Sequence, residues 1–251
     1  MKQLEDEVPD LFKAKRILCI QPHYDDNDIG AGGTLIAMHA AGAELIYLTV
    51  TNNLAGVADT KLSDEQATSI LRAEQLAAGA LIGVSQQHWL GYPQAGGFDY
   101  HALRRQIIRF IHHYQPDFVF TCDPWLPYEA QRDHIQTGLA VAEASILQAM
   151  PRLRVDKEVD ARYKPYEISG VVFYFTRTAN ITVDIKLTRQ RKHTAIDSYW
   201  TYYPPLAMQR LHAWLEKEEL VEGAEGESQY VERLKVVSPE QLNRGIHSWH
   251  L

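Results

Sequence analysis

The stretch RILCIQPHYDDNDIGAGGTLIAMHAAGAELIYLTVT, residues 16–51, decides the fold. Its opening, 16–22, is a compact apolar run with charge before it and Pro22 at its end. Its close, 44–51, is a second such run. Between them Gly, Ala, Leu and Met recur at helical spacing from Gly30 to Ala41. Strand, helix, strand in that order is the unit of a parallel sheet, because parallel neighbours need a long crossover.

The alternation continues outward. SDEQ (63–66) opens a helix that runs to about Ala80: Ser63 can cap its N-terminus and Gln66 can reach back. QHWLGYP (87–93) reads as a short strand and turn, and a helix follows over Tyr100 to Tyr114. DFVFTC (117–122) reads as a buried strand, and another helix starts near His134 and ends before Pro151. Residues 16–150 therefore read β-α-β-α-β-α-β-α. That order predicts an α/β fold: a doubly wound, mostly parallel, Rossmann-like sheet with helices on both faces. Ligands on such sheets lie beyond the carboxyl ends of strands, so chemistry is expected just after Ile20, Val50, Leu90 and Phe120.

The second half is less regular. GVVFYF (170–175) and ITVDI (181–185) are strand candidates, and Leu187 to Tyr199 is a helix candidate. Pro204 and Pro205 break the pattern, LAMQRLHAWLEKEEL (206–220) has amphipathic helical spacing, and EGAEGES (222–228) reads as a polar loop. The expected organisation is one domain over 1–203 and a helical extension over 204–251 packed on it.

Composition narrows the function. The 251 residues are 45% hydrophobic, enough for a sizeable core, and carry a formal charge of -7. No basic run appears, which argues against nucleic acid as a partner and favours a small substrate. Cys19 and Cys122 are the two cysteines, far apart in apolar runs, so a disulfide framework is not expected and a reducing compartment is. The N-terminus MKQLEDEVPDLFKAK has no apolar core of a signal peptide. No stretch approaches the roughly 20 apolar residues of a membrane span. A soluble, cytoplasmic protein is the expectation; a homo-oligomer is compatible with the sequence and not required by it.

The densest chemistry is QPHYDDNDIGAGG (21–33), where strand one gives way to helix one. His23, Asp25, Asp26 and Asp28 place one imidazole and three carboxylates within six residues. A turn can aim His23 and Asp26 at a common point, and imidazole with carboxylate suits Zn²⁺ or another divalent transition metal. Carboxylates at a helix start also cap it, and Asp28 is read in a capping or supporting role. Capping alone leaves the imidazole and the extra charges of His23, Asp25 and Asp26 unexplained. Gly30, Gly32 and Gly33 lack the GxGxxG spacing of a dinucleotide loop, and the acidic turn before them would repel a pyrophosphate.

These residues resemble the N-acetylglucosaminyl-phosphatidylinositol de-N-acetylase family, also called LmbE-like or PIG-L. PHYDD resembles its His-Pro-Asp-Asp turn, and AGGTL the helix start that follows. Arg72 and Glu74, WLGYPQ (89–94), QPDFVFTCDP, RDHIQTG (132–138), ITVDI and KHTAIDSYWTYY resemble later segments in order, over roughly residues 15–203. The resemblance implies a metal-dependent N-deacetylase acting on an N-acetylated amino sugar. It implies His23, Asp26 and His134 as ligands of zinc or another divalent ion, with open positions for water and substrate. Asp25 is implied as general base, Asp133 as a group in the proton path or behind a ligand, and Tyr199 as the oxyanion donor. Arg72 and Arg132 are candidate substrate contacts.

Two departures stand out: Gln131 replaces a histidine of the family's second motif, and Gln94 replaces an aspartate. A different acyl-amine conjugate, or a sugar-binding relative without turnover, stays open on the sequence. Trp89, Tyr92, Trp125, Tyr128 and Trp200 fall in or near the loops expected to rim the pocket and are candidates for stacking on a sugar ring. His193 could face that pocket. His39, His88, His101, His112, His113, His212, His247 and His250 have no partners at ligand spacing.

Overall fold

A computed structural model describes residues 8–164, 166–222 and 228–243. Its sheet has the order β3 (Val84–Tyr92), β2 (Glu44–Thr51), β1 (Arg16–Gln21), β4 (Phe118–Cys122), β5 (Gly170–Tyr174), β8 (Ser228–Val237), β6 (Ile181–Asp184), with β7 (Leu220–Glu222) paired to β8. β1, β2, β3, β4 and β5 are all parallel. The predicted doubly wound α/β architecture is what forms.

Alternation along the strands builds the two layers. Ile17 and Cys19 of β1 join Tyr47 of β2 in a core with α1 (Asp26–Ala40), α2 (Asp64–Ile82) and α6 (Arg189–Ile196). Leu18 and Ile20 face the other way and pack with Ile107 and Ile111 of α3 (Tyr100–Tyr114) and Val141 of α4 (Arg132–Leu147). Both faces of β1 are thus covered, which is why its sequence is continuously apolar. Ser63 and Gln66 form the predicted capping box of α2. Cys19 and Cys122 are buried free thiols.

The chain after β1 turns to one face as α1, and the chain after β4 turns to the other as α4. β1 and β4 are neighbours, so their loops part and leave a crevice between them, at the switch point of the sheet. That crevice gathers the segments around His23 and His134.

Three elements differ from the sequence reading. The extension expected as helical does hold α7 (Pro205–Glu219), with Pro205 in its first turn, but it also returns as β7 (Leu220–Glu222) and β8 (Ser228–Val237). β8 runs antiparallel between β5 and β6 (Ile181–Asp184), so residues beyond 204 complete the sheet. SQYVERLKVV mixes charge into its apolar positions because the buried Glu232 accepts from the backbone of α1, and that mixture hid the strand. α5 (Lys157–Arg162) lies in a stretch to which the sequence reading assigned no element; Asp156 caps it by accepting from the Glu158 and Val159 amides. Finally, α1 begins at Asp26, so Asp26 and Asp28 lie in its first turn. A short α8 (Pro239–Leu242) follows β8. The loop expected over 222–228 lies, for 223–227, outside the described residues, as do His247 and His250. Among the described residues no helix is long and apolar enough to cross a membrane.

The α1 glycines serve packing. A Cβ on Gly30 would come within 2.3 Å of Tyr174, and one on Gly33 within 2.7 Å of Ile185. Helix α1 lies that close to β5 and to the segment after β6 because these positions carry no side chain.

Candidate metal centre

Asp26 is the hub of the crevice. Its Oδ2 is 3.1 Å from His23 Nδ1 and its Oδ1 is 3.3 Å from His134 Nε2. Ligand-type atoms of His23, Asp26 and His134 all lie within 4.8 Å of one another. His23 comes from the loop after β1, Asp26 from the first turn of α1, and His134 from the first turn of α4. The backbone N–H of His23 donates to Asp26 Oδ2 at 2.7 Å, which closes the turn and aims both side chains together.

Each imidazole has a carboxylate behind it as well. His23 Nε2 lies 3.2 Å from Asp133 Oδ2, and His134 Nδ1 lies 3.2 Å from Glu129 Oε2. Burial disfavours charge on both rings, yet Asp26 and its companions outweigh it: His23 is pushed up to about 10, and His134 upward. Burial likewise raises Asp26, but the two histidines override that and hold it well below the usual carboxylate range. Asp26 thus favours positive charge on the two rings that face it. A divalent cation between Asp26 and the two rings would supply the same positive charge, and two imidazoles with one carboxylate are a borderline-soft donor set that suits Zn²⁺. The residues fit a metal ion.

None of the three motif carboxylates is used up in capping. Asp25 is the N-cap residue of α1, yet its side chain makes no capping hydrogen bond. It is 4% exposed, and its Oδ2 accepts from the Tyr203 hydroxyl at 2.5 Å. Burial and then the Asp26 charge push its pKa up, while Tyr203 pulls it down. Asp28 points into the core, where Tyr47 and Tyr199 donate to its two oxygens at 2.7 and 2.5 Å. Burial outweighs those donors and pushes it up to about 7.

The other predicted residues distribute around this cluster. Asp133 is fully buried and accepts from the Ala95 and Gly96 amides at 2.8 and 2.5 Å, besides facing His23. It therefore ties the 94–97 turn after β3 to the crevice, and burial, which would raise its carboxyl, is outweighed by His23 and then by the two amides, which hold it low. Gln131 is the N-cap residue of α4, its Nε2 3.5 Å from His23 Nε2. A neutral amide thus borders the cluster where the resembled family carries a histidine. Gln94 accepts from Ala55 N–H and donates to the Tyr202 hydroxyl, holding three loops together. Arg132 is exposed and lies over Gly96. Arg72 sits on the exposed side of α2, 5.1 Å over the Trp89 ring, and beside Tyr24, whose phenol it lowers against the larger effect of burial.

Tyr199 is not presented to the cluster. It is 1% exposed, and its hydroxyl lies between Asp28 and the Tyr24 carbonyl, 2.9 Å away. The phenol that reaches the motif is Tyr203, whose N–H bonds the Tyr199 carbonyl one turn earlier. His193 stacks on His212 and pairs with Glu219 at 3.0 Å. Trp125, Tyr128 and Trp200 are exposed, at 56%, 103% and 64%.

Two residues of the site escaped sequence reasoning. Tyr203 was hidden in the aromatic run YWTYY, where nothing local tells which ring points inward. Glu129 precedes His134 by five residues, a spacing with no helical or strand period. Its direction depends on the turn Leu126–Glu129, in which Tyr128 takes φ 69°.

Comparison with known proteins places the chain in a family. The model of the PIG-L family, GlcNAc-PI de-N-acetylase, matches residues 18–145. The diacetylchitobiose deacetylase of Thermococcus kodakarensis is 27% identical over 238 residues, covering 94% of this chain and 89% of that protein. A 1D-myo-inositol 2-acetamido-2-deoxy-alpha-D-glucopyranoside deacetylase of Nakamurella multipartita is 30% identical over 173 residues, 56% of this chain and 58% of that protein. The structure of N,N'-diacetylchitobiose deacetylase from Pyrococcus horikoshii, complexed with an inhibitor, superposes with a TM-score of 0.85 at 31% identity, over 94% of this chain and 89% of that one.

Proposed function

This chain belongs to the PIG-L family, and from that premise we propose that it is a zinc-dependent de-N-acetylase of amino sugars, cleaving the acetamide of a GlcNAc-type unit. The observation that carries the reading is the convergence of His23, Asp26 and His134, from the segments that follow β1 and β4 at the switch point, with the Asp25 carboxylate, which makes no capping bond, beside them.

His23, Asp26 and His134 would hold the ion, zinc being the best fit to two imidazoles and a carboxylate. The chemistry supplied by such an ion is Lewis-acid polarisation of the acyl carbonyl and acidification of water. Asp25 acts as general base: it is next to a ligand, buried, and without a capping duty, so its oxygen is available to take a proton from water and return it to the departing amine. Tyr203 fixes the orientation of that carboxylate. Asp133 orients His23 and the 94–97 turn together, and Arg132 at the exposed start of α4 is a contact for substrate hydroxyls. Tyr199, with Asp28, supports the first turn of α1 from the core side. Arg72 acts at one remove, through Tyr24.

The test is acetate release from a panel of N-acetylated sugars, including N-acetylglucosamine, N,N'-diacetylchitobiose and an inositol conjugate, with and without added zinc. Metal-dependent release from at least one is expected. Binding of these sugars without any acetate, at every metal tried, would sink the proposal.

A further inference from the structure

Glu129 belongs to none of the motifs that point to the site, yet its carboxylate is built into it. One oxygen, Oε2, is 3.2 Å from His134 Nδ1. The other, Oε1, accepts the Gln131 N–H at 2.7 Å, which anchors the side chain to the start of α4. Phe175 lies nearly parallel to the His134 ring, at 9° and 6.1 Å between centroids. We propose that Glu129 is a positioning residue that fixes His134 as a metal ligand through Nε2; this rests on the metal-dependent reading above.

The argument is one of donors and acceptors. A neutral imidazole carries one N–H, and a ligating nitrogen must present its lone pair. An ionised carboxylate only accepts, so Glu129 requires the proton on Nδ1. That leaves the lone pair on Nε2, the nitrogen that faces Asp26 Oδ1 at 3.3 Å. With the proton held on Nδ1, Nε2 offers its lone pair beside Asp26 Oδ1, and a divalent cation bound by both would satisfy the two acceptors. Asp133 stands to His23 as Glu129 stands to His134, so both imidazoles are oriented by the same device.

The backbone supports a purpose for this placement. Leu126 to Glu129 forms a turn closed by Glu129 N–H on the Leu126 carbonyl, with Pro127 at its second position and Tyr128 at its third. Tyr128 has φ 69°, a left-handed conformation that such turns ordinarily fill with glycine. That inversion separates neighbours: Tyr128 is fully exposed while Glu129 points to His134. Behind Glu129 lies a cavity of about 210 Å³, also lined by Ile29, Phe175 and Trp214, so a change at position 129 meets open space rather than tight packing.

The experiment is a zinc competition titration of chelator-stripped protein, comparing wild type with Glu129→Gln and Glu129→Ala. Loss of a carboxylate behind a metal histidine weakens affinity by roughly 10–100-fold. That loss is expected for Glu129→Ala, with a smaller one for the isosteric Glu129→Gln, and with unchanged circular dichroism of the apo forms. Nitrogen-15 spectra of the zinc-loaded wild type should show His134 protonated at Nδ1. Zinc affinity of both variants within twofold of wild type, or a zinc form protonated at Nε2, would overturn the role of Glu129 alone. A wild-type protein that took up no zinc would overturn both this inference and the proposed function.

Discussion

The Tyr203 hydroxyl donates to Asp25 at 2.5 Å, from a segment 178 residues further along the chain. A phenol held against a buried carboxylate fixes where that carboxylate points. A hydrogen bond to a charged group contributes about 1.5–3 kcal/mol, or roughly 10–100-fold in rate if all of it serves the reaction. Tyr203→Phe is expected to lower kcat by about that factor and to leave zinc content unchanged. Because Tyr203 lowers the Asp25 pKa, its removal moves the rising limb of the pH–rate profile to higher pH. Unaltered kcat would remove Tyr203 from the mechanism.

Tyr128 pairs full exposure with a left-handed backbone beside the cluster. Holding a residue with a Cβ there costs of order 1–3 kcal/mol. Tyr128→Gly should therefore raise the midpoint of urea unfolding, or at least not lower it, while raising KM for disaccharide substrates as the aromatic face is lost. A fall in stability with no change in KM would show that the ring has no part in substrate binding.

Most of the framework was legible. The run Arg16 to Thr51 gave a parallel unit because its apolar runs are short and its middle has helical period. His23 and Asp26 stood out because they share one turn, whereas His134 was named through the resemblance of RDHIQTG to the family's second motif. What was illegible has physical causes. β8 was missed because Glu232 and Lys235 interrupt its pattern, and Glu232 is there to accept the Gly33 and Thr34 amides at 2.9 and 2.7 Å. Tyr199 was named through the resemblance of KHTAIDSYWTYY; α6 ends at Ile196, so the following turn, not a helix, decides that Tyr203 is the ring that reaches Asp25.

Lys192 is 1% exposed and sits 2.8 Å from both Glu219 Oε1 and Glu232 Oε1, beneath α1. Removing one partner of a buried ion cluster strands the others and costs about 3–5 kcal/mol. Lys192→Met is expected to lose stability of that order in urea denaturation. A loss under 1 kcal/mol would mean that the two carboxylates take up protons at no cost.

The same cluster sets an acid limit. Burial raises Glu219, but the His193 hydrogen bond and the Lys192 charge outweigh it and hold its carboxyl down to about 2, against an ordinary 4.5. A folded-state pKa below the unfolded one adds stability that is complete above the unfolded value and lost as protons bind the folded state. Stability should therefore fall as pH drops from about 4.5 toward 2, and Glu219→Gln should flatten that slope. Equal slopes in the two proteins would assign the acid sensitivity elsewhere.

Gly30 faces Tyr174 so closely that an added methyl would lie 2.3 Å from its ring. Overpacking of this kind costs about 1–3 kcal/mol. Gly30→Ala should lower thermal stability and, because α1 carries Asp26 in its first turn, weaken zinc binding in parallel. Full stability with normal zinc affinity would show that Tyr174 yields freely.

Elemental analysis of the purified protein and of its His23→Ala, His134→Ala and Asp25→Asn forms tests the whole account most directly. One equivalent of a divalent metal is expected in the wild type and in Asp25→Asn, the latter without acetate-releasing activity, and none in either histidine variant. A His23→Ala protein that keeps its full complement of metal would contradict the assignment of the centre.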